Sequence, residues 1–336
     1  MNKLLDCLIN KNPAKVPIWF MRQAGRYLPE FRKIRSQNPN FINLCLNSDL
    51  VTEITLQPIK RFNLDGTIIF SDILMIPYGL GQKVEFKKGI GPILYDFNID
   101  EIVNIKSADF TKKLSPVYKA IGQVKNQVNN TNLIGFVGAP WTLIVYMLMK
   151  QSPKNNFNIK DIVNQKEIIR KLMDKIKETI ILHVENQIKA GAEIIQIFDS
   201  WAGLLQQEHL SEYCYSPTAD IVAHIKSKKV PVICFPRGIK KSYLDFCKTV
   251  SPDCINIDYE IDPNWIEENI KNISIQGGMD PKILLTDKKN IEENVKFFLK
   301  TFSKHSYIFN LGHGVLPETK PEAIEEVIKT VQRYNK

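Results

Sequence analysis

The sequence predicts an α/β fold and, within that class, a (β/α)8 TIM barrel. Eight short apolar runs rich in β-branched residues alternate with longer stretches of helical periodicity. The runs are apolar almost throughout, which is typical of parallel strands that are buried on both faces. Eight such strands joined by crossovers favour a closed barrel over an open, doubly wound sheet.

The apolar runs define eight predicted strands. They cover residues 16–20, 66–70, 133–137, 193–198, 230–235, 254–258, 273–276 and 307–310. No G-x-G-x-x-G follows the first strand, and the pair Gly79 and Gly81 lacks the third glycine of that motif. A dinucleotide-binding fold therefore loses support.

Four of the intervening stretches have clear helical periodicity. They are residues 166–190, 263–269, 290–304 and 321–334. Gly191 follows the first of them as a C-cap glycine would, and Pro263 suits a first helical position. Ser211, Asp262 and Thr319 lie near the places where N-cap residues are expected.

Residues 77–109 do not fit the alternation of strands and helices. The segment is punctuated by glycine and proline, and residues 83–86 alternate as the strand of a hairpin would. We therefore expect a loop insertion after the second strand, with a small antiparallel pair within it. Because no polar, low-complexity linker divides the chain, residues 1–336 are expected to form a single domain.

Composition and charge narrow the possible functions. The 336 residues are 44% hydrophobic and 24% charged, which excludes disordered, collagen-like and coiled-coil chains. With no long apolar run and no signal-peptide core, we expect a cytoplasmic protein that does not bind membranes. The net charge of +9 comes without a basic, aromatic stripe, which disfavours nucleic acid and leaves compositional drift or an anionic small molecule. Six cysteines without a C-x-x-C pair predict buried, reduced thiols.

In a barrel of this kind, chemistry belongs to the C-terminal ends of the strands. The loop after the first strand contains Arg22 and Arg26, whose planar guanidinium groups match carboxylates. Gly25 between them would let backbone N–H groups approach an anion closely. Two interpretations stay open at this point: a polyanionic ligand, or ion pairs with surface acids such as Glu30.

Four further strand ends contain candidate residues. Asp72 follows the second strand and could either cap the next turn or stabilise a cation on a substrate. Tyr146, beyond the third strand, could face a ligand or belong to the core. Ser200 follows the fourth strand outside any G-x-S-x-G motif, so a ligand-binding or capping hydroxyl is favoured over a nucleophile. His313 stands between two glycines after the last strand and is the histidine best placed for function.

Four motifs resemble those of the uroporphyrinogen decarboxylase family of haem biosynthesis. They are MRQAGRYLPEFR at residues 21–32, FSDIL at 70–74, GAPWTL at 138–143 and NLGHG at 310–314. The motifs occur in the family's order, and the first is long and specific. The resemblance implies a homodimeric TIM barrel that converts the four acetate side chains of uroporphyrinogen III to methyls. The products would be coproporphyrinogen III and CO₂, with no metal and no organic cofactor.

The resemblance also implies roles for individual residues. Arg22 and Arg26 would bind substrate carboxylates, and Asp72 would accept hydrogen bonds from the pyrrole N–H groups. Asp72 and Arg22 would be the catalytic residues. The other substrate contacts that the resemblance implies are Gln23, Ala24, Gly25, Phe31, Tyr146, Ser200 and His313.

The implied chemistry needs an electron sink, because CO₂ leaves from an acetate attached to a pyrrole. Protonation of the ring carbon beside the nitrogen supplies that sink, and Asp72 would lie against the resulting positive charge. An arginine, a tyrosine or a water could deliver the proton. Two rivals stay open: a non-catalytic tetrapyrrole carrier, and a zinc-dependent corrinoid-protein methyltransferase on the same fold. Cys234 on the fifth strand matches one of the latter's zinc ligands, but the paired histidine is missing.

Overall fold

The computed structural model describes residues 3–11, 15–153 and 158–335. Its strands are β1 (Gly66–Ile68), β2 (Val84–Lys87), β3 (Gly91–Leu94), β4 (Asn132–Gly138), β5 (Ile194–Asp199), β6 (Val232–Pro236), β7 (Cys254–Ile257), β8 (Ser274–Gly277) and β9 (Tyr307–Ile308). Seven of them form one curled sheet in the order β1-β4-β5-β6-β7-β8-β9, in which all neighbours are parallel. The structure is therefore an α/β fold, with its strands in chain order around the sheet.

Helices connect these strands. Those in the described part of the chain are α1 (Lys3–Ile9), α2 (Pro29–Gln37), α3 (Phe41–Cys45), α4 (Ser48–Arg61), α5 (Met75–Gly79), α6 (Ile99–Asn104), α7 (Ser107–Lys125), α8 (Pro140–Met149), α9 (Lys160–Val163), α10 (Lys166–Lys189), α11 (Gln207–Leu210), α12 (Ser216–Ser227), α13 (Tyr243–Val250), α14 (Pro263–Asn269), α15 (Lys288–Thr301) and α16 (Pro321–Tyr334). None of them is long and apolar enough to cross a lipid bilayer.

The first predicted strand, residues 16–20, is not a regular strand. Ile18 forms a single parallel bridge with Phe309, and Phe309 donates its N–H to the carbonyl of Pro17 (2.8 Å). On the other side, Asp65 donates its N–H to the carbonyl of Ile18 (2.8 Å). Pro17 has no N–H to give to a ladder, and the N–H of Ile18 is bonded to the Asp65 carboxylate (3.0 Å) instead of a backbone carbonyl. Because neither Pro17 nor Ile18 donates an N–H to a neighbouring backbone carbonyl, the segment forms a single bridge instead of a regular strand.

The interior of the curled sheet is filled by apolar side chains from nearly every strand. Leu4 and Leu8 of α1 pack there against Trp19. The other members of this cluster are Cys7, Met21, Ile68, Ile134, Ile194, Ile233, Phe235, Cys254 and Ile308. Because the Ser306 and Ser274 hydroxyls donate to the Cys7 carbonyl (2.6 and 3.0 Å) just before β9 and at the start of β8, α1 covers the N-terminal ends of the strands.

A layer of buried amides lies within the same interior. Gln276 on β8 accepts a hydrogen bond from the indole N–H of Trp19 (2.9 Å). Its own amide nitrogen donates to Asn256 on β7 (2.5 Å) and to Gln196 on β5 (3.2 Å). Since all three amides are fully buried, these bonds replace the water that the side chains lose on folding. Because α1 covers the N-terminal ends of the strands, a functional site is expected at the opposite, C-terminal edge of the sheet.

Most helix predictions are confirmed. The predicted helices 263–269 and 321–334 coincide with α14 and α16, and 166–190 corresponds to α10, followed by Gly191 at φ +117°. The predicted 290–304 is shifted, because Asp287 caps α15 by accepting the N–H of Asn290 (2.9 Å). Asp262 is confirmed as the N-cap of α14.

Two predicted N-caps are wrong. Ser211 lies inside continuous helix, since a π-helical turn (Ser211–Tyr215) joins α11 to α12. Thr319 is buried, and Lys320 precedes α16 without a capping side chain. The antiparallel pair expected within residues 77–109 is present as β2 and β3, with Val84 opposite Leu94. All six cysteines are buried and unbridged, as predicted.

Candidate active site

The strand-end loops lie together at the C-terminal edge of the sheet, a region that we call the mouth. It consists of residues 21–26, 71–74, 138–142, 199–203, 236–238, 258–260 and 311–315. Backbone N–H to carbonyl bonds join these loops, from Ala139 to Phe198 (2.8 Å), from Arg237 to Asp199 (3.0 Å), from Gly312 to Met279 (2.8 Å) and from Val315 to Met21 (2.9 Å). The side chains of the mouth are therefore carried on a connected backbone frame.

Arg22 occupies a strained backbone conformation at the centre of the first loop. Its φ is +61°, in the left-handed region that non-glycine residues rarely adopt. The turn is held by the buried amide of Gln23, which accepts the N–H of Phe20 (3.0 Å) and donates to the carbonyl of Gly66 (3.1 Å). A Cβ at Gly25 would stand 2.7 Å from the Arg22 carbonyl oxygen, so this turn needs glycine there. Such strain at a strand end is typical of functional sites.

The side chain of Arg22 stands in a concave environment. The side chain is accessible to solvent, but many protein atoms lie around it. The resulting desolvation lowers the pKa of its guanidinium. Asp72 partly offsets this decrease in pKa, whereas the positive charges of Arg26 and Arg237 add to it. Arg22 has neither a salt bridge nor a side-chain hydrogen bond within the described residues. It is a positively charged group that is available to an anion.

Ion pairing with surface acids does not account for the arginines of this loop. Glu30, the nearest candidate acid in sequence, forms a bidentate pair with Arg61 on α4 (3.0 and 3.1 Å). Arg32 donates to the carbonyls of Arg26 and Tyr27 (both 2.9 Å) and so shapes the loop. Arg26 is exposed, and its guanidinium has no partner in the described ranges. Of the two interpretations of this loop, the anionic ligand is the one that the geometry favours.

Asp72 presents one free carboxylate oxygen to the mouth. Its Oδ1 accepts the N–H of Leu74 (2.9 Å), which fixes the carboxylate in a short turn, and Oδ2 has no hydrogen bond within the described residues. Burial raises the pKa of Asp72 to about 6, while the bond from Leu74 and the charge of Arg22 limit the increase. The carboxylate is therefore mostly ionised at neutral pH, and Oδ2 can accept a hydrogen bond or face a cation.

The glycines on both sides of His313 are required by close packing. A Cβ at Gly314 would stand 2.4 Å from Cδ of Arg22, and one at Gly312 would stand 2.4 Å from the backbone nitrogen of Tyr259. Arg22 thus lies directly across the backbone of Gly314. The backbone of the motif that contains His313 therefore packs directly against the side chain of Arg22.

His313 is neutral and offers a donor. Its Nδ1 accepts the N–H of Gly314 (2.7 Å), so the neutral ring carries its proton on Nε2. Burial lowers the pKa of His313 to about 4, and the charges of Arg22 and Arg237 add to the decrease, while Asp258 opposes it. At neutral pH the half-buried ring therefore donates from Nε2 without adding a third positive charge.

Thr142 at the start of α8 positions the loop that contains Ser200. Its hydroxyl donates to the buried carboxylate of Asp199 (2.6 Å) and accepts the N–H of Trp201 (3.0 Å), so both neighbours of Ser200 are fixed. The Ser200 hydroxyl itself has no hydrogen bond within the described residues. The ring of Tyr146 packs edge-on against Trp201 (centroids 5.9 Å apart).

Tyr146 belongs to the same electrostatic cluster as the acidic and basic groups. Burial raises the pKa of its phenol, Asp72 raises it further and Arg22 opposes this. The structure therefore brings together Arg22, Arg26, Asp72, Tyr146 and His313. That these groups contact a substrate stays a prediction.

Three other predicted contact residues are placed differently. Gln23 is fully buried and both ends of its amide are used inside the protein. Phe31 on α2 is 4% exposed and packs edge-on against Phe70 (5.5 Å). Ala24 is half-buried against the core. Gln23 and Phe31 shape the mouth from behind, and any direct contact with a ligand stays a prediction for all three.

Sequence reasoning missed one residue of the mouth and two aromatic residues on the strands that lead to it. Phe136 and Phe198 are only partly buried on β4 and β5 and form an aromatic row with Phe235 (centroids 5.7 and 6.4 Å apart). They lie inside apolar runs, where a ligand-facing ring cannot be told from a core ring. Arg237 directly follows β6, and inspection of that strand end would have revealed it.

No metal centre is apparent in the mouth. Across residues 3–11, 15–153 and 158–335, no group of three or more His, Cys, Asp or Glu side chains could hold a metal ion. Cys234 is fully buried on β6, and burial raises the pKa of its thiol well above the ordinary value. A protonated, buried thiol is a poor zinc ligand.

Comparisons with known proteins agree with the motifs. The family model described as Uroporphyrinogen decarboxylase (URO-D) matches residues 1–334. A uroporphyrinogen decarboxylase of Rickettsia felis is 41% identical over 97% of this chain and 95% of its own length. That of Rickettsia bellii is 42% identical over 98% of each. A solved methyltransferase structure from Methanosarcina mazei has a TM-score of 0.80 over 99% of this chain and 98% of its own, at 14% identity, which shows a shared fold.

Proposed function

The chain belongs to the uroporphyrinogen decarboxylase family, and from this premise we propose that it decarboxylates uroporphyrinogen III in haem biosynthesis. The four acetate side chains become methyls, and coproporphyrinogen III and CO₂ are the products. No metal or organic cofactor takes part. One observation carries the proposal beyond family membership: the unpaired guanidinium of Arg22 lies within electrostatic range of Asp72, whose Oδ2 has no hydrogen bond within the described residues.

The substrate is a flexible ring of four pyrroles with carboxylates around its rim. Arg22 and Arg26 bind rim carboxylates, and Nε2 of His313 donates a further hydrogen bond. Oδ2 of Asp72 accepts from the pyrrole N–H groups at the centre of the ring. The partly buried rings of Phe136 and Phe198 supply an apolar surface for the pyrroles. Gly25, Ala24 and Gln23 hold the arginine loop, while Phe31, Tyr146 and Ser200 complete the surroundings.

Decarboxylation proceeds through a protonated pyrrole. A proton adds to the ring carbon beside the nitrogen, the bond to CO₂ breaks, and its electron pair neutralises the ring. A second proton then converts the resulting methylene carbon to a methyl, and the ring carbon returns its proton. The reaction therefore consumes one proton for each CO₂ released.

Asp72 stabilises the cation that forms first. At about 4 Å and an effective dielectric constant near 20, a unit charge pair gains roughly 4 kcal/mol. That is on the order of a thousandfold in rate, so placement of the acetate by arginines and a preorganised mouth must supply the remainder.

The closure of the barrel, the domain organisation, the location and the oligomeric state form part of the same proposal. The sheet closes into an eight-membered barrel through residues 16–20, which is supported by the bonds of Pro17 and Ile18 to Phe309 and Asp65. The segment 77–109 is an insertion into a single domain that spans residues 1–336. The protein is cytoplasmic and homodimeric, and sedimentation at twice the 38.7 kDa chain mass would test the dimer.

The activity is tested by anaerobic incubation of EDTA-treated protein with uroporphyrinogen III. The products are oxidised and separated by chromatography with fluorescence detection. Coproporphyrin, preceded by seven-, six- and five-carboxylate intermediates, would support the proposal and its independence of metal. Tight binding without products would indicate a carrier. The absence of both would mean that the mouth serves another ligand.

A further inference from the structure

Arg237 is held at a fixed position on the side of the mouth formed by β5, β6 and β7. Its N–H donates to the carbonyl of Asp199 at the end of β5 (3.0 Å), and its carbonyl accepts the N–H of Gly203 (2.9 Å). The next residue, Gly238, donates its N–H to Oδ2 of Asp258 just after β7 (2.8 Å). The backbone on both sides of Arg237 is therefore anchored to neighbouring strand ends.

The acids at the neighbouring strand ends form no salt bridge with Arg237 within the described residues. Asp258 is fully buried; its Oδ2 accepts from Gly238 and from the hydroxyl of Tyr243 (both 2.8 Å), and its Oδ1 accepts the N–H of Glu260 (2.9 Å). Asp199 is bonded to Thr142. Within the described ranges, the half-buried guanidinium of Arg237 has no salt bridge and no hydrogen bond. A half-buried arginine without a partner is unusual, because burial of an unpaired charge is costly.

Arg237 lies within electrostatic range of the first loop and of His313. Its charge acts on both Arg22 and His313. The first loop begins between the two edge strands of the sheet, β1 and β9. The strand that precedes Arg237, β6, is three positions from each of these edges. Arg22 and Arg237 therefore approach the mouth from opposite sides. Neither guanidinium forms a salt bridge within the described residues, so an anion bound between them would offset their mutual repulsion.

We propose that Arg237 binds a carboxylate of the tetrapyrrole substrate, on the side of the ring opposite to the carboxylates bound by Arg22 and Arg26. This inference rests on the proposed function. A guanidinium grips a carboxylate through two parallel N–H bonds, which fixes orientation as well as charge. With its rim held from both sides, the macrocycle is centred so that its N–H groups lie over Asp72. Arg237 is thus a binding residue that also determines which carboxylated rings fit.

The test compares Arg237→Gln and Arg237→Lys with a matched control. Arg170→Gln removes the same charge from an exposed arginine of α10 that has no ion pair in the described residues. KM and kcat for uroporphyrinogen III are measured anaerobically over a range of salt concentrations. For Arg237→Gln we expect KM to rise roughly ten- to a hundredfold, the range for a lost hydrogen-bonded charge, with a smaller change in kcat.

Two further readouts separate ligand binding from a structural role. KM of Arg237→Gln should depend less steeply on salt than that of the wild type, because one charged contact is gone. Arg237→Lys keeps the charge but loses the two-pronged grip, so its KM should lie between those of the wild type and Arg237→Gln. If Arg237→Gln does not fold, Arg237→Lys decides alone: a raised KM supports the contact, and an unchanged KM overturns it.

The outcomes also distinguish this inference from the proposed function. If the wild type and Arg170→Gln turn over substrate while Arg237→Gln has an unchanged KM and salt dependence, the role of Arg237 is overturned and the function stands. If the wild type releases no coproporphyrinogen, the proposed function fails first, and the inference fails with it.

Discussion

Replacing Asp72 by asparagine removes a charge and leaves the local geometry intact. The amide oxygen can still accept the N–H of Leu74, now 2.9 Å from Oδ1, so the turn after β1 should be unchanged. The loss of roughly 4 kcal/mol of cation stabilisation predicts a decrease in kcat of about a thousandfold. KM should change less than kcat, because Arg22 and Arg26 still bind the rim carboxylates, although the NH2 group that replaces Oδ2 cannot accept from the pyrrole N–H groups.

Asp72→Asn should raise the thermal stability of the protein although it lowers turnover. Because burial raises the pKa of Asp72 from 3.8 to about 6, the folded protein binds this proton more tightly than the unfolded chain does. Ionisation of Asp72 therefore costs stability as the pH rises from about 4 to about 6. Asp72→Asn removes that cost, so its Tm should exceed that of the wild type above pH 6 and equal it below pH 4. Wild-type turnover should fall as the pH drops through about 6.

The assay is single-turnover decarboxylation, with thermal unfolding measured across the same pH range. Asp174→Asn, on the exposed face of α10, serves as the matched control and should leave both quantities unchanged. Near-normal turnover by Asp72→Asn would refute charge stabilisation. A lower Tm at every pH would show that the carboxylate is a structural cap instead.

Three further predictions concern other residues of the mouth. Arg22→Ala and Arg26→Ala should each raise KM roughly tenfold or more, most strongly at low salt, and a KM that does not change would argue against carboxylate contact. Gly314→Ala should mimic Arg22→Ala in KM because the new methyl displaces the arginine, whereas Gly122→Ala, where a methyl has room, should leave KM alone. Thr142→Val should lower the free energy of unfolding by about 1–3 kcal/mol, since a buried carboxylate loses its donor, and chemical denaturation would measure this.

The parts of the fold that follow from burial could be predicted from the sequence. The seven strands of the sheet appear as apolar runs because both faces of a buried parallel strand are covered. Residues 16–20 give the same signal. However, Pro17 has no N–H to donate, and the N–H of Ile18 donates to the carboxylate of Asp65 instead of a backbone carbonyl. Such a replacement depends on a residue 47 positions away, which no local pattern contains.

The site residues that could be predicted from the sequence are the polar ones that directly follow a strand. Arg22, Asp72 and His313 stand out because a charged or ionisable side chain next to an apolar run needs a reason. Phe198 does not stand out, because a phenylalanine within a strand reads as core whichever way it faces. The role of Gly314 is equally invisible, since it depends on where the side chain of Arg22 crosses its backbone.

The mouth concentrates unfavourable interactions that an anionic ligand would relieve. Arg22 has a left-handed backbone, a pKa lowered by burial and two neighbouring arginines, and Asp72 is the acid that opposes them. Each term costs stability in the free protein, and neither the Arg22 guanidinium nor Oδ2 of Asp72 has a hydrogen bond among the described residues. A ligand with carboxylates at its rim and N–H donors at its centre supplies partners for the arginines and for Asp72 at once. A neutral or cationic ligand would satisfy Asp72 alone, so the same arrangement that binds the substrate also rejects rings without carboxylates.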